Sequence, residues 1–317
     1  MSILVVGAGS IGQLYGHCLA RGGAQVGVYV RPRYTDEAHS GYRLYDLRRG
    51  FDAPETFSPD AVYSRPEELS ATDHDAVLLC IPSDGLRGPW LEDFCRAIGD
   101  TPIISLTPGL GDRDYLRQYV ADECLGIGLI TAISYPCPMP GETVDEPGTA
   151  YWLPPLAPAY FEGPDEVLRP VTEPLGNGGM KARKIDAVAT RSAFGSSLLI
   201  PFIAALESTG WSLPKLRRSR DRRRLLARAC DEALEAVESK LDARRPFPVR
   251  FLGPTNWRGL LTVAPWFPPF DLEVYLQVHF TKVGKQTRMM LEDYIDRRRE
   301  DGLDSPALQQ LLRHIEE

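Results

Sequence analysis

The sequence predicts an α/β protein: an N-terminal Rossmann-type doubly wound sheet followed by an all-helical C-terminal domain. Three observations carry this expectation. The chain opens as strand, glycine turn, helix and strand; short buried strands recur with turn signals through the first half; and helical periodicity takes over after Asp186. The boundary is placed at 185/186, giving a nucleotide-binding domain of residues 1–185 and a helical domain for substrate and dimer contacts of residues 186–317.

The opening unit is the most specific signal. Ile3-Leu4-Val5-Val6 runs into Gly7-Ala8-Gly9-Ser10-Ile11-Gly12, three glycines at the GxGxxG spacing. Gly7 permits the turn, Gly9 lets main chain approach a pyrophosphate, and Gly12 lets the helix lie close to its strand, with the phosphates at the helix N-terminus beside Ser10 and Ile11. Ile11, Leu14, Cys18 and Leu19 share one helical face, and Gly22-Gly23 offers a stop. The second strand, Gln25 to Val30, follows at βαβ distance and ends in Arg31 and Arg33, with no acid before Asp36. An Asp or Glu there would suit the free ribose hydroxyl of NAD, whereas arginine suits the extra phosphate of NADP(H). The same two arginines read otherwise as solvated surface charges.

Asp75 to Pro82 and Pro102 to Leu106 read as further buried parallel strands. Their carboxyl ends bring Ile81, Pro82, Thr107 and Pro108 to the rim where a doubly wound sheet holds its ligand. From Leu125 to about Lys184, apolar runs broken by Pro and Gly read as strands extending the sheet edge: Gly126 to Tyr135, Thr149 to Leu153 and Met180 to Ile185. Leu225 to Leu241, Phe280 to Arg299 and Ser305 to Glu316 are the clearest helices, the last with Ser305 as N-cap and Pro306 at the first helical position.

Composition narrows the class. The 317 residues are 43% hydrophobic and 25% charged with a net charge of −7, which describes an ordinary globular protein and argues against general nucleic-acid binding. The basic run Lys215 to Arg224 reads as a solvated helix start opposed by Asp231, Glu232, Glu235 and Glu238, or as a contact for an anionic partner. Six cysteines without a CxxC pair and five histidines without ligand spacing lead us to expect buried thiols and no metal. No basic segment precedes the first apolar run, and the stretch Phe194 to Leu206 is too short to span a bilayer, so a cytoplasmic protein with no membrane contact is expected.

The layout resembles the ketopantoate reductase (2-dehydropantoate 2-reductase) family. Ile3 to Gly12, Arg31, Ser105-Leu106-Thr107-Pro108-Gly109-Leu110-Gly111 set against that family's Leu-Gln-Asn-Gly-Leu-Gly, and Gly302-Leu303-Asp304-Ser305-Pro306 set against its Gly-x-x-x-Pro carry the likeness. The resemblance implies NADPH-dependent reduction of a small carbonyl or imine compound, such as a 2-oxo acid, in an interdomain cleft. The departures fall at the chemistry: Pro108 stands for the usual asparagine, Pro82 near the usual cofactor-side lysine, Arg191 to Ser196 for the usual Lys-Leu-x-x-Asn, and Gln286 for the substrate-binding glutamate. Ketopantoate itself is therefore not the expected substrate.

A polar constellation remains. His279, Lys282, Gln286 and Met290 are spaced for one face of a single helix, with Arg288 angled off it. His279 or Lys282 could protonate the oxygen or nitrogen formed on reduction; Gln286, Ser192 and Ser196 could orient substrate; Arg288 or Arg191 could hold a carboxylate. Each has a plainer reading, as packed histidine, solvated lysine or helix-packing serine. Trp257, Trp266, Phe267 and Phe270 could wall a pocket or form a core or homodimer contact. Two alternatives stay open: an opine- or 6-phosphogluconate-type dehydrogenase, and a non-catalytic NADPH-binding regulatory protein.

Overall fold

The computed structural model describes residues 1–317 apart from 70–73, 156, 248, 250–252 and 317. The chain divides into two compact units, Met1–Ala189 and Thr190–Glu317.

The first unit is built on an eight-stranded sheet. In chain order, β1 (Ser2–Val6), α1 (Ser10–Arg21), β2 (Gln25–Tyr29), α2 (Thr35–Ser40), β3 (Tyr42–Asp46), β4 (Glu55–Phe57) and β5 (Ala61–Tyr63) are followed by β6 (Ala76–Leu79), α3 (Ser83–Leu86), α4 (Trp90–Ile98), β7 (Ile103–Ser105) and α5 (Asp112–Leu116). Then come β8 (Leu125–Leu129), β9 (Ile133–Cys137), β10 (Gly148–Trp152), β11 (Ala159–Glu162), α6 (Asp165–Asn177) and β12 (Ala182–Lys184). The large sheet has the order β12-β11-β8-β7-β6-β1-β2-β5, with every pair parallel except β8 and β11. The chain leaves β1 toward β2 on one side and returns to β6 on the other, which puts a topological switch beside β1.

Side-chain alternation explains why these strands are apolar throughout. Ile3, Val5, Val26, Val28, Leu78 and Ile104 face a core made with α1 and α6, while Leu4, Val6, Val77, Leu79 and Ile103 face one made with α4 and α5. Burial of each such side chain contributes about 1.5–3 kcal/mol, so the sheet is held from both faces.

Two sequence expectations change here. β8 and β12 do extend the large sheet, with β11, not expected from the sequence, between them, but β9 and β10 do not. They join β3 and β4 in a second sheet of order β4-β3-β10-β9. Pro136 lies in β9, the edge strand, where its missing amide hydrogen costs no ladder bond. The segment expected to contain only strands also holds α6, whose apolar residues Val167, Leu168, Val171 and Leu175 line one face despite Pro170 and Pro174 within it. Proline in a helix interior costs about 3 kcal/mol, and burial of that face against the sheet outweighs it.

The second unit is helical: α7 (Val188–Glu207, crossing the boundary in its first turn), α8 (Leu213–Arg218), α9 (Arg220–Leu241), α10 (Pro254–Val263), α11 (Leu272–Lys282), α12 (Gly284–Glu300) and α13 (Pro306–Glu316). Among the described residues one helix, α7, is long and apolar enough to cross a membrane by length and composition, and 56% of its most apolar window is buried within the protein. The helix expected over Phe280 to Arg299 is two helices. Val283, at φ −106° and ψ 23°, leaves the helical region and separates α11 from α12.

Candidate functional site: the glycine loop and its rim

The glycine loop joins β1 to α1 at the switch point. Gly7 sits at φ +88°, a conformation side chains rarely adopt, and its amide donates to the Tyr29 carbonyl at 2.9 Å. A Cβ on Gly12 would lie 1.9 Å from the Gly7 oxygen, so only glycine lets α1 begin this close to the loop. Gly9 differs: it is the exposed N-cap, a Cβ there would meet nothing within 4 Å, and no side chain caps the helix. Nor is there an acid in the first turn. The first amides of α1 therefore have no side-chain cap and lie at the positive end of the helix dipole beside exposed Gly9. This is a cradle for an anion that has main chain as its floor, and the residues fit the diphosphate of a dinucleotide.

A residue not singled out from the sequence braces the cradle. The Gln13 side chain donates to the Ala8 carbonyl at 2.9 Å and accepts from the Thr149 hydroxyl at 2.5 Å, tying the glycine loop to β10. Gln13 is buried on the face of α1 that turns toward the second sheet. Two polar residues one turn apart on α1, Gln13 and buried His17, are the signal that could have marked it.

At the end of β2, Arg31 and Arg33 are both exposed. Arg33 lies over the Tyr34 ring at 4.7 Å, and among the described residues neither arginine pairs with a carboxylate. The pair is thus available to an external anion. No acid follows β2 until Asp36 in α2.

The loops after β6 and β7 are locked to each other by a buried polar network. Asp112, 2% exposed, accepts from the Ser83 hydroxyl at 2.6 Å, from Arg87 at 2.7 Å and from the Gly109 amide at 2.8 Å. The Gly109 amide also reaches the Ser83 oxygen at 3.1 Å, and Arg87 reaches the Ser83 carbonyl at 2.8 Å. The Ser105 and Thr107 hydroxyls bond at 2.7 Å. The polar groups of both loops turn inward, and the predicted rim residues Ile81, Pro82 and Pro108 are left half-buried or exposed as an apolar edge. Asp112 has no role legible in the sequence, because a buried carboxylate shared by two loops leaves no periodic trace; Ser83, expected in the turn that lines the cofactor rim, instead points its hydroxyl at Asp112.

The catalytic candidates lie in the second unit. His279 and Lys282 share the last turn of α11, whereas Gln286 and Met290 lie on α12, beyond the break, so the expected single helical face is divided. His279 is packed between Tyr275, stacked at 5.3 Å, and Phe280, edge-on at 4.9 Å. Burial, with the Lys282 charge adding to it, pushes the His279 imidazole down to about 4. At neutral pH it is an uncharged ring that can donate one N–H hydrogen bond, not an imidazolium acid. Lys282 is exposed and Gln286 half-buried.

Arg288 donates to the Ile315 carbonyl at 2.9 Å and so caps α13. Arg191 is exposed on α7, next to half-buried Ser192 and one turn from buried Ser196. Of the aromatic set, Trp257 is a core residue stacked on Phe202 at 5.8 Å, while Trp266 is 89% exposed.

Residues 3–142 match the family model described as ketopantoate reductase PanE/ApbA. The matched segment takes in the glycine loop and both rim loops of the first unit. The whole chain also has the fold of solved relatives. It is similar to a PanE/ApbA family ketopantoate reductase from Ralstonia eutropha at 18% identity, covering 100% of this chain and 97% of that one, with a TM-score of 0.75. It is similar to a 2-dehydropantoate 2-reductase from Geobacter metallireducens at 16% identity, covering 100% and 99%, with a TM-score of 0.71. A D-mandelate dehydrogenase solved with NADH and anilino(oxo)acetate gives 14% identity, 100% and 97% coverage, and a TM-score of 0.73. The glycine loop, Gly7 to Gly12, and Pro108 both lie within the matched segment.

Proposed function

We propose that the protein is an NADPH-dependent reductase of a small carbonyl or imine compound, with 2-oxo acids as the first substrate class. The observation that carries the reading is the uncapped start of α1 over Gly9, with two exposed arginines at the end of the neighbouring strand that pair with no carboxylate among the described residues. Gly7, Gly9, Ser10, Ile11 and Gly12 would hold the diphosphate through main chain, and Arg31 and Arg33 the ribose phosphate. Ile81, Pro82, Thr107 and Pro108 would form the wall along the rest of the cofactor. The reduced nicotinamide supplies the hydride when bound.

The protein's own residues then have distinct tasks. Lys282 delivers the proton to the product oxygen or nitrogen, because His279 is held uncharged at neutral pH. The His279 N–H, Gln286, Ser192 and Ser196 orient that group by hydrogen bonds. Arg191 takes the carboxylate in place of Arg288, which is spent on α13. The 2-oxo acid class is supported by the mandelate dehydrogenase neighbour, whose ligand is anilino(oxo)acetate.

The test has two parts. Arg31→Ala with Arg33→Ala should weaken NADPH binding roughly ten- to hundredfold while leaving NADH nearly unchanged, since a charge-assisted bond is worth about 1.5–3 kcal/mol; equal losses for both dinucleotides would remove the NADPH assignment. NADPH oxidation over a panel of 2-oxo acids, alone and with amines, should show turnover. Tight binding with no turnover would instead favour a nucleotide-responsive binding protein, and oxidation of hydroxy acids or secondary amines with NADP⁺ alone would favour an opine- or 6-phosphogluconate-type dehydrogenase.

A further inference from the structure

The basic run of the second unit splits into two sets of arginines once folded. Arg223 is buried, donating to the Pro254 carbonyl at 3.1 Å and to the Arg217 carbonyl, and so ties α9 to α8 and α10. Arg222 donates to the Ser208 hydroxyl at 3.1 Å. Arg224 and Arg228 do neither. Both are exposed, one turn apart on α9, and they line a groove of about 660 Å³ between the first half of α9 and α13, facing Gln310 and His314.

Two acids, Asp221 and Glu232, border this groove, against three arginines, Arg222, Arg224 and Arg228. The Glu232 carboxylate accepts the Ala307 and Leu308 amides at 3.1 and 2.8 Å, so it is committed to the start of α13. Asp221 is 93% exposed and reaches only Arg224, loosely, at 3.7 Å. Among the described residues Arg228 has no carboxylate partner, and the His314 Nδ1 atom is buried without a hydrogen-bond partner. Like charges one turn apart on a helix repel, and an anion bridging them would relieve that repulsion. Guanidinium groups side by side suit phosphate oxygens, which they bind through paired N–H bonds. The volume lies within the range of about 300–1,000 Å³ typical of small-molecule sites.

From this juxtaposition we infer that the α9–α13 groove is a second ligand site, separate from the glycine loop, that takes the phosphate or diphosphate group of a small phosphorylated molecule. Arg224 and Arg228 grip the oxyanion, and Gln310 and His314 close the opposite wall. The probe is inorganic pyrophosphate, titrated by calorimetry at constant ionic strength in the presence of saturating NADPH, so that the glycine loop is occupied. Saturable binding that weakens at least tenfold in Arg224→Gln with Arg228→Gln, with an unchanged thermal midpoint, is the expected result. Absence of saturable binding, or equal binding by the double variant, would overturn the inference. If the protein does not bind NADPH, the functional proposal fails on its own, and the comparison of wild type with the double variant still decides this one.

Discussion

The glycine loop of the first unit and the α11–α12 segment of the second both hold candidate machinery, yet they are built on opposite principles. In the loop the ligand-facing groups are amides, positioned by backbone packing: Gly12 against the Gly7 oxygen, Gln13 braced by Thr149, Gly109 held by Asp112. In the helical segment they are side chains, and their register depends on a break at Val283. A site made of main chain tolerates almost no change in the glycines that shape it but is indifferent to most other residues. A site made of side chains keeps its fold through many substitutions and loses or changes its chemistry with each.

Four experiments press on this contrast. Gly12→Ala should have the largest effect, because its methyl would sit 1.9 Å from the Gly7 oxygen; backbone must move, with a loss on the order of 3 kcal/mol or more in unfolding free energy and no measurable dinucleotide binding. Recovery of wild-type thermal stability would show that the loop is softer than its packing implies.

Asp112→Ala should follow. It strips the Gly109 amide and Arg87 of their acceptor at a site where the carboxylate is 2% exposed, costing about 2–4 kcal/mol. Hydrogen exchange at Gly109 should quicken markedly, whereas Asp112→Asn, which keeps one acceptor oxygen, should retain part of the protection. An unchanged Gly109 exchange rate in the alanine variant would mean that the network does not restrain the loop.

The third measurement is a pH titration. His279 folds with a pKa near 4 against about 6.5 unfolded, so the unfolded chain binds the extra proton first. Stability from this residue is full above about pH 6.5 and falls as pH drops toward 4, by up to about 2–3 kcal/mol. His279→Leu should flatten that window; an identical acid limb in wild type and variant would place the transition elsewhere. The same shift predicts that the rate does not gain from imidazolium formation near pH 6.

Gly9→Ala should have the smallest effect on stability, within about 0.5 kcal/mol, since its φ is −71° and the methyl enters open space. Dinucleotide affinity should nevertheless fall at least tenfold, because that space is where the diphosphate would lie. The pairing of Gly12→Ala with Gly9→Ala thus separates the glycine needed for the fold from the glycine needed for the ligand.

The sequence by itself determined the βαβ opening, the two-faced apolar strands and the helical second half, because these depend on local spacing: glycines two and three apart, and apolar residues at periods of two and 3.6. It also marked Arg31 and Arg33, whose place at a strand end is a matter of local spacing. Only the tertiary structure decided that β9 and β10 leave the main sheet for a second one, that α6 absorbs Pro170 and Pro174, and that His279 is parted from Gln286 by a helix break. The inward turn of Ser83, Asp112 and Arg87, and the division of one arginine run into buried braces and an open groove, belong to the same class. Each of these turns on which distant surface covers a residue. Burial against partners far along the chain sets strand pairing, proline tolerance and the charge state of an imidazole, and local spacing carries no record of it.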